Sequence, residues 1–150
     1  MTSVLAIFNN YSLACAAMGW CIAQFLKFLI NLIRFHKVSV SLLISSGGMP
    51  SSHSATVCAL AVSVGRKCGF GSELFAIAFI LAFIVMYDAA GVRRAAGEQA
   101  KKINKLMRDL DDFNTDNMGR ELKELLGHTP LEVTAGALLG TLIPFVLRVF

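Results

Sequence analysis

The chain has 150 residues, a formal net charge of +4, a hydrophobic share of 55% and a charged share of 16%. Its length predicts a single domain spanning 1–150, and its composition departs from soluble-protein averages in the direction of a membrane protein. The small net charge, without basic runs interleaved with aromatic residues, argues against nucleic acid as a partner. The four cysteines lack CxxC spacing, so buried free thiols are expected rather than a zinc site.

The first apolar segment runs from about Tyr11 to Ile33 and is long enough to cross a bilayer. Gln24, Lys27, Asn31 and Arg34 recur in it at helical spacing and form one polar stripe. A lysine inside a span normally faces a bundle interior or a polar cavity, although a long side chain can also reach the membrane interface. Because Lys27 lies two turns deeper than Arg34, we expect it to face a polar cavity.

The stretch 47–55, Gly-Gly-Met-Pro-Ser-Ser-His-Ser-Ala, connects this segment to a second helix. Pro50 suits the first positions of a helix, and Ser51 or Ser52 is a natural N-cap, which places His53 in the first helical turn. Helix N-termini carry unpaired N–H groups and partial positive charge, and the two glycines allow a ligand to come close. An anion site is one interpretation of this stretch; an ordinary capped turn with a surface histidine is the other.

Three further helices are predicted after this turn. The second runs from Ser52 to about Gly65, and the third runs from Glu73 to Val92 and continues beyond the membrane to about residue 110. The last span runs from 127 to about 150, with Glu132, Gly136 and Gly140 on one narrow face that another helix can approach closely. The predicted fold is an all-α integral membrane bundle of about four transmembrane helices, the third extended beyond the membrane.

The order of these spans brings four polar residues to one membrane face. Arg34 ends the first span, His53 begins the second, Arg93 ends the third and His128 begins the fourth. Glu132, four residues after His128, can orient its imidazole. Phosphoryl transfer needs a nucleophile, an acid for the leaving oxygen and positive charge around the phosphate, which these residue types supply. No Walker loop or zinc triad is present, so a metal-free route is expected.

These motifs resemble the phosphatidic acid phosphatase type-two and vanadium haloperoxidase superfamily, and most closely its divergent bacterial and plant branch. That superfamily carries Lys-x6-Arg-Pro, Pro-Ser-Gly-His and Ser-Arg-x5-His-x3-Asp, in this order. Lys27-x6-Arg34 matches the first motif, with Phe35 in place of proline. Residues 50–53 match the second with serine for glycine, and His128-x3-Glu132 matches the third with glutamate for aspartate.

The Ser-Arg half of the third motif is absent at its usual offset, where Glu121 and Leu122 stand. The stretch 88–94, Asp-Ala-Ala-Gly-Val-Arg-Arg, is the candidate source of that arginine. Either Arg93 or Arg94 can supply it, and the sequence leaves the choice open.

The resemblance implies a role for each matching residue. His128 would attack phosphorus and form a phosphohistidine, Glu132 would orient His128, and His53 would protonate the leaving group. Metal ions and cofactors are not expected, although vanadate or phosphate could occupy the site as an analogue. The predicted phosphate-binding residues are Lys27, Arg34, Ser51, Ser52, Arg93 and Arg94, with Gln24, Asn31 and Asp88 as structural or supporting residues.

The resemblance implies a membrane phosphatase that hydrolyses a lipid phosphate or an isoprenoid phosphate or diphosphate. The alternatives are a catalytically silent binder or carrier of phosphorylated lipids, and a small structural membrane protein whose polar residues only pair its helices. The expected partners are a phosphorylated lipid and the bilayer, with the oligomeric state left open. A bacterial inner membrane location is expected, with the site on the cytoplasmic face, because 34–50 and 93–127 carry far more Lys and Arg than the turn at Arg66 and Lys67.

Overall fold

The computed structural model describes residues 6–35, 48–111 and 127–147, and every regular element within these ranges is a helix. The side chains at 34–35, 93–94 and 109–111 lie outside this description, as do residues 36–47 and 112–126. The predicted all-α fold is confirmed. The principal helices are α1 (Tyr11–Phe35), α2 (Ser52–Cys68), α3 (Glu73–Ala90), α4 (Val92–Asp111) and α5 (Pro130–Val146).

Helix α2 is the centre of the bundle, because it packs against α1, α3 and α5. Its sequence is rich in Ala, Ser and Val rather than in the large apolar residues that face lipid. Small residues allow helices to approach closely inside a membrane, where no hydrophobic force drives helices together. The modest apolarity of α2 therefore fits a helix that its neighbours cover on several sides.

Three glycines allow the backbones around α2 to approach closely. A Cβ added at Gly19 of α1 would lie 2.9 Å from the Ala55 carbonyl oxygen. A Cβ at Gly140 of α5 would overlap the same oxygen, and one at Gly136 would overlap the Ser51 carbonyl oxygen. The prediction that Gly136 and Gly140 form a face for close helix contact is confirmed.

The described surface carries large apolar side chains, while the interior is built from small ones. The buried core contains alanines and cysteines such as Cys15, Ala59 and Ala82, whereas Ile77, Phe83 and many other large side chains are exposed. Such a surface fits hydrocarbon rather than water. Two stretches, Tyr11–Ile33 and Glu73–Arg108, are long and apolar enough to cross a bilayer. The protein is an integral membrane helical bundle.

Helices α2 and α5 have 17 residues each, at the lower end of the length that spans a bilayer. The segment Pro130–Val146 is predominantly apolar, although shorter than the two longest spans. The predicted count of about four transmembrane helices therefore rests on two long apolar stretches and two short helices packed beside them.

The helix boundaries differ from the predicted ones at three places. The last helix, α5, begins at Pro130 and ends at Val146, inside the predicted span from 127 to about 150. Helix α2 continues past Gly65 to Cys68 and ends before Gly69, whose φ of 92° is unfavourable for other residues. The extension of the third helix is a separate helix, α4, which follows Gly91 and ends at Asp111. Helical hydrogen bonding nevertheless runs through Gly91, whose N–H donates to the Tyr87 carbonyl at 2.9 Å and whose carbonyl accepts from the Ala95 N–H at 3.0 Å.

The ends of α1, α2 and α5 meet again at the membrane face opposite the histidines. The Tyr11 hydroxyl donates to the carbonyl oxygens of Pro144 at 2.8 Å and Leu147 at 3.2 Å. Arg66 Nη1 donates to the same hydroxyl at 3.0 Å, and the Arg66 guanidinium lies 5.0 Å from the centre of the Phe145 ring. These contacts supply partners for carbonyls at the C-terminal end of α5, which lack partners within the helix.

The cysteines are free, but only two are buried. Cys15 and Cys58 lie in the interior, whereas Cys21 and Cys68 are exposed. The expectation of buried thiols is wrong for the latter two, because Cys21 lies on an outward face of α1 and Cys68 is the last residue of α2.

Candidate active site

The N-terminus of α2 has the capped geometry that its sequence predicts. Ser51 is the N-cap, with extended backbone, and its hydroxyl accepts a hydrogen bond from the Ser54 N–H at 3.3 Å. His53 is therefore in the first helical turn. Ser51 and Ser52 are buried, so this helix end and its partial positive charge lie inside the bundle rather than in bulk water.

The Lys27 side chain reaches the same helix end from α1. Its Nζ donates to the Ser52 hydroxyl at 3.3 Å, and only 5% of Lys27 is exposed. Gly48, with a φ of 94°, lies against this side chain, because a Cβ added there would be 3.9 Å from Lys27 Cδ. The ammonium group is thus placed in the protein interior, beside the residue that precedes His53.

His128, Thr129 and Glu132 form a single hydrogen-bonded unit at the start of α5. Thr129 is the N-cap, and its hydroxyl accepts from the Glu132 N–H at 3.3 Å. In return, Glu132 Oε2 accepts from the Thr129 N–H at 3.1 Å, which completes a capping box. The same Oε2 atom lies 3.0 Å from His128 Nδ1. One carboxylate oxygen therefore caps the helix and binds the imidazole.

The rings of His53 and His128 are neighbours, with centroids 5.8 Å apart and planes at 63°. Two backbone hydrogen bonds hold the segments that carry them. The Ser51 N–H donates to the Glu132 carbonyl at 2.9 Å, and the His128 N–H donates to the Ala89 carbonyl at 3.1 Å. Because Ala89 lies in the last turn of α3, the N-termini of α2 and α5 and the C-terminus of α3 converge around this histidine pair.

The remaining predicted residues divide into two groups. Gln24 is buried, Asn31 and Asp88 are half-buried, and each makes at least one polar interaction. The side chains of Arg34, Arg93 and Arg94 lie outside the described residues, so their contact with phosphate stays a prediction.

Two residues of the site were not singled out from the sequence. Thr129 fixes Glu132 through the capping box, and the Thr-x-x-Glu spacing before an apolar run is a sequence signal that could have found it. Ser54 is fully buried, and its hydroxyl has no hydrogen-bond partner within the described parts of the chain. No sequence signal distinguishes Ser54 from other serines of α2, because its environment depends on the packing of Gly136 against it.

The arrangement suits nucleophilic catalysis by histidine. A carboxylate accepts hydrogen bonds, so Glu132 favours the His128 tautomer that carries its proton on Nδ1. The lone pair of that tautomer is on Nε2, which is the nitrogen available for attack on an electrophile. His53 supplies a second imidazole for proton transfer. Within the ranges 6–35, 48–111 and 127–147, no group of three or more His, Cys, Asp or Glu side chains is close enough together to hold a metal ion.

An apolar exterior around a buried polar centre defines an integral membrane protein with an internal polar site. The chain belongs to the Divergent PAP2 family, whose model matches residues 8–143. It is 43% identical to the "Uncharacterized membrane protein YuiD" of Bacillus subtilis (strain 168), with 97% of this chain and 99% of that protein covered. No solved structure gives a significant match. The resemblance to a divergent phosphatidic acid phosphatase-related family is confirmed.

Proposed function

We propose that this protein is a membrane phosphatase that hydrolyses a lipid phosphate or an isoprenoid phosphate or diphosphate, without a metal ion, through a phosphohistidine. The observation that carries the proposal is the His128–Glu132 contact of 3.0 Å beside the His53 ring. Membership of the Divergent PAP2 family supports a phosphatase-related role. The membrane-embedded fold supports a lipid as the substrate, because the site lies within a bundle whose apolar exterior fits hydrocarbon.

In the first half of the proposed reaction, His128 Nε2 attacks the phosphorus atom of the substrate. An N–P bond forms, the bond from phosphorus to the lipid oxygen breaks, and His53 donates a proton to that oxygen. Glu132 stabilises the positive charge that develops on the His128 ring. For a diphosphate, the leaving group is the lipid monophosphate.

In the second half, water attacks the phosphohistidine while His53 accepts a proton from it. The P–N bond breaks, inorganic phosphate leaves, and His128 returns to its neutral form. His53 therefore acts first as an acid and then as a base, which its position beside His128 would allow.

The phosphoryl oxygens need positive charge and hydrogen-bond donors around them. Lys27 and the N-terminal turn of α2 with Ser51 and Ser52 supply both beside His53. We assign Arg34, and one of Arg93 and Arg94, to the same group by their positions at the end of α1 and at the start of α4. Ser54, buried next to this turn, is a further candidate for hydrogen bonding to the substrate.

The two histidines provide the test of this proposal. With protein purified in detergent, His128→Ala should reduce hydrolysis of every phosphate to background, because no covalent intermediate can form. His53→Ala should slow an alkyl phosphate by about 10²–10⁴, whereas an activated aryl phosphate should be partly spared, since its phenolate leaves without a proton. Steady-state rates with both substrates measure the difference.

The third histidine, His36, has no assigned role, so His36→Ala is the matched control and should keep full activity. Equal losses for alkyl and aryl phosphates in His53→Ala would contradict the acid role. Full activity in His128→Ala would contradict the role of His128 as the nucleophile, and with it the phosphohistidine intermediate. Binding of a phosphorylated lipid without turnover in the wild type would favour the silent binder, for which the Lys27–Ser52 contact and the α2 N-terminus suffice.

A further inference from the structure

An apolar groove lies between α2, α3 and α5, with a volume of about 190 Å³. Its floor consists of the small buried residues Cys58, Ala61 and Ala82, and its walls include the exposed rings of Phe79 and Phe83. The volume exceeds the roughly 150 Å³ of an engineered apolar cavity that binds benzene. The groove can therefore hold part of an apolar molecule.

The end of the groove farthest from the histidines is closed by two aromatic rings. Phe70, in the turn between α2 and α3, stacks edge-on against Phe75 with centroids 5.1 Å apart. The Phe70 ring lies over Gly65, where an added Cβ would overlap it. The absence of a side chain at Gly65 thus allows Phe70 to seat across the end of the groove.

The other end of the groove lies next to the candidate site. Met86 and Cys58 meet there, with their sulfur atoms 3.7 Å apart. Met86 precedes Ala89 by one turn, and the Ala89 carbonyl accepts the His128 N–H. Cys58 follows His53 by five residues on α2. At 1.5 Å per residue, this end is about 5–8 Å along the helix axes from the histidines.

The length and chemistry of the groove match one hydrocarbon chain. Phe75 and Met86 are eleven residues apart on α3, which corresponds to about 16 Å. The hydrocarbon core of a bilayer is about 30 Å thick, so the groove reaches about as deep as one leaflet. The Thr141 hydroxyl in its lining donates to the Ala137 carbonyl at 2.8 Å, and so presents no unsatisfied donor to an apolar chain.

We propose that this groove binds the hydrocarbon chain of the phosphorylated lipid, and that the Phe70–Phe75 pair limits the chain length. The proposal rests on the proposed function for the position of the phosphate headgroup. A chain that extends from the histidine site past Met86 runs along Ala61 and Ala82 and stops at the Phe70 ring. Longer chains have to displace that ring or leave the groove.

The test uses single-chain alkyl phosphates of graded length and the purified full-length protein. For the wild type, kcat/KM should rise with chain length, reach a maximum and then fall. Phe70→Ala opens the closed end, and should raise kcat/KM about fivefold or more for chains beyond the wild-type maximum, because a methylene forced into a filled space is costly. Since Phe70 is exposed, its truncation leaves the core intact.

Ile77→Ala is the matched control, because Ile77 is exposed on α3 at a similar depth but does not line the groove. It should leave the chain-length profile unchanged. Val62→Trp fills the groove from α2, and should remove the gain from longer chains while the shortest phosphate is still hydrolysed. Identical profiles for the wild type, Phe70→Ala and Val62→Trp would overturn the groove assignment.

Binding of alkylphosphonates, which are not hydrolysed, separates this proposal from the phosphatase proposal. If the wild type hydrolyses nothing but binds phosphonates with a length dependence that Phe70→Ala shifts, the groove assignment stands and the phosphatase is excluded. If hydrolysis occurs and phosphonate affinity is independent of chain length in all variants, the phosphatase stands and the groove assignment is overturned.

Discussion

Glu132 has two structural roles that converge on one oxygen atom. Its Oε2 accepts the Thr129 N–H of the capping box and contacts His128 Nδ1. The superfamily motif that His128-x3-Glu132 resembles has aspartate at this position. In this chain, the longer glutamate side chain completes the capping box and still reaches back to the histidine. The substitution is therefore compatible with an oriented imidazole.

Thr129→Val should lower kcat with little change in KM. The substitution keeps the shape of the side chain but removes the hydroxyl that accepts the Glu132 N–H, so the first turn of α5 and the carboxylate are less well held. Orientation of the imidazole matters in the chemical step rather than in substrate binding. Loss of an N-cap should also cost about 1 kcal/mol of stability. Steady-state kinetics and thermal unfolding measure the two effects.

Thr129→Ser retains the hydroxyl and is the control, so it should keep both kcat and stability. A Thr129→Val variant with unchanged kcat and lowered stability would show that the capping box serves folding alone.

Glu132→Gln should keep the fold yet slow turnover, because a neutral amide stabilises imidazolium less well than a carboxylate.

At the scale of elements, α5 is placed by two glycines rather than by large side chains. Gly136 and Gly140 bring its backbone against the Ser51 and Ala55 carbonyls of α2. This close contact sets the separation of the two helix N-termini, and hence the distance between the rings of His53 and His128. The packing of α5 against α2 and the geometry of the site are therefore linked.

Gly140→Ala should destabilise the protein, although alanine is intrinsically the better helix former by about 0.5–1 kcal/mol. The added methyl group overlaps the Ala55 carbonyl oxygen, so α5 has to move away from α2. Overpacking of this kind typically costs about 1–3 kcal/mol. The Tm in detergent should fall by several degrees, and activity should fall with it because His128 moves with α5.

Ala76→Val adds methyl groups at an exposed position of α3 and is the matched control. Its Tm should stay near that of the wild type. A higher Tm for Gly140→Ala than for the wild type would mean that the contact between α2 and α5 tolerates a side chain at this position. The helix propensity of alanine would then outweigh the cost of overpacking.

At the scale of the whole molecule, the order of the spans predicts the meeting of His53 and His128. Both histidines begin helices that run in the same direction through the bundle, and the structure brings their rings to 5.8 Å. The spacing of Lys27 on a polar stripe likewise indicates an inward-facing lysine. These features depend on helical periodicity and on alternating direction, which a sequence displays directly.

Other features were not accessible from the sequence, because they depend on which surfaces pack together. The interruption at Gly91 was missed, since Ala, Gln, Lys and Leu on its C-terminal side favour a continuous helix. The exposure of Cys21 and Cys68 was missed, because a membrane helix is apolar on its outer face as well as inside. The central position of α2 depends on its contacts with three helices. Its composition alone does not reveal which helices those are.

The site face should be cytoplasmic. Ten of the fourteen Lys and Arg residues fall in 34–50 and 93–127, on the site side of the membrane. Cys68 is exposed at the opposite end of α2 and is a native probe for the other face. In intact cells, a membrane-impermeant maleimide should label Cys68, and should not label Asn114→Cys, which lies outside the described residues.

For this measurement, Cys15, Cys21 and Cys58 are replaced by serine, and Cys68 is also replaced in the Asn114→Cys protein. Labelling of both proteins after the cells are opened shows that each thiol is reactive. Labelling of Asn114→Cys in intact cells, with Cys68 protected, would reverse the orientation.

The contact of Gly19 with the Ala55 carbonyl joins α1 to α2 at a point midway between Tyr11 and Lys27. Gly19 is eight residues from Tyr11 and eight from Lys27, which is about 12 Å in each direction. If α1 tilted as a rigid unit about this contact and Lys27 moved away from Ser52, Tyr11 would move by the same distance in the opposite direction. Because Ser52 and Arg66 both lie on α2, that tilt would press the Tyr11 end of α1 toward α2 and distort the hydrogen bonds of the Tyr11 hydroxyl with Arg66 and with the end of α5. We therefore expect the contacts of Tyr11 at the opposite membrane face to resist such a tilt, and so to help hold Lys27 beside Ser52.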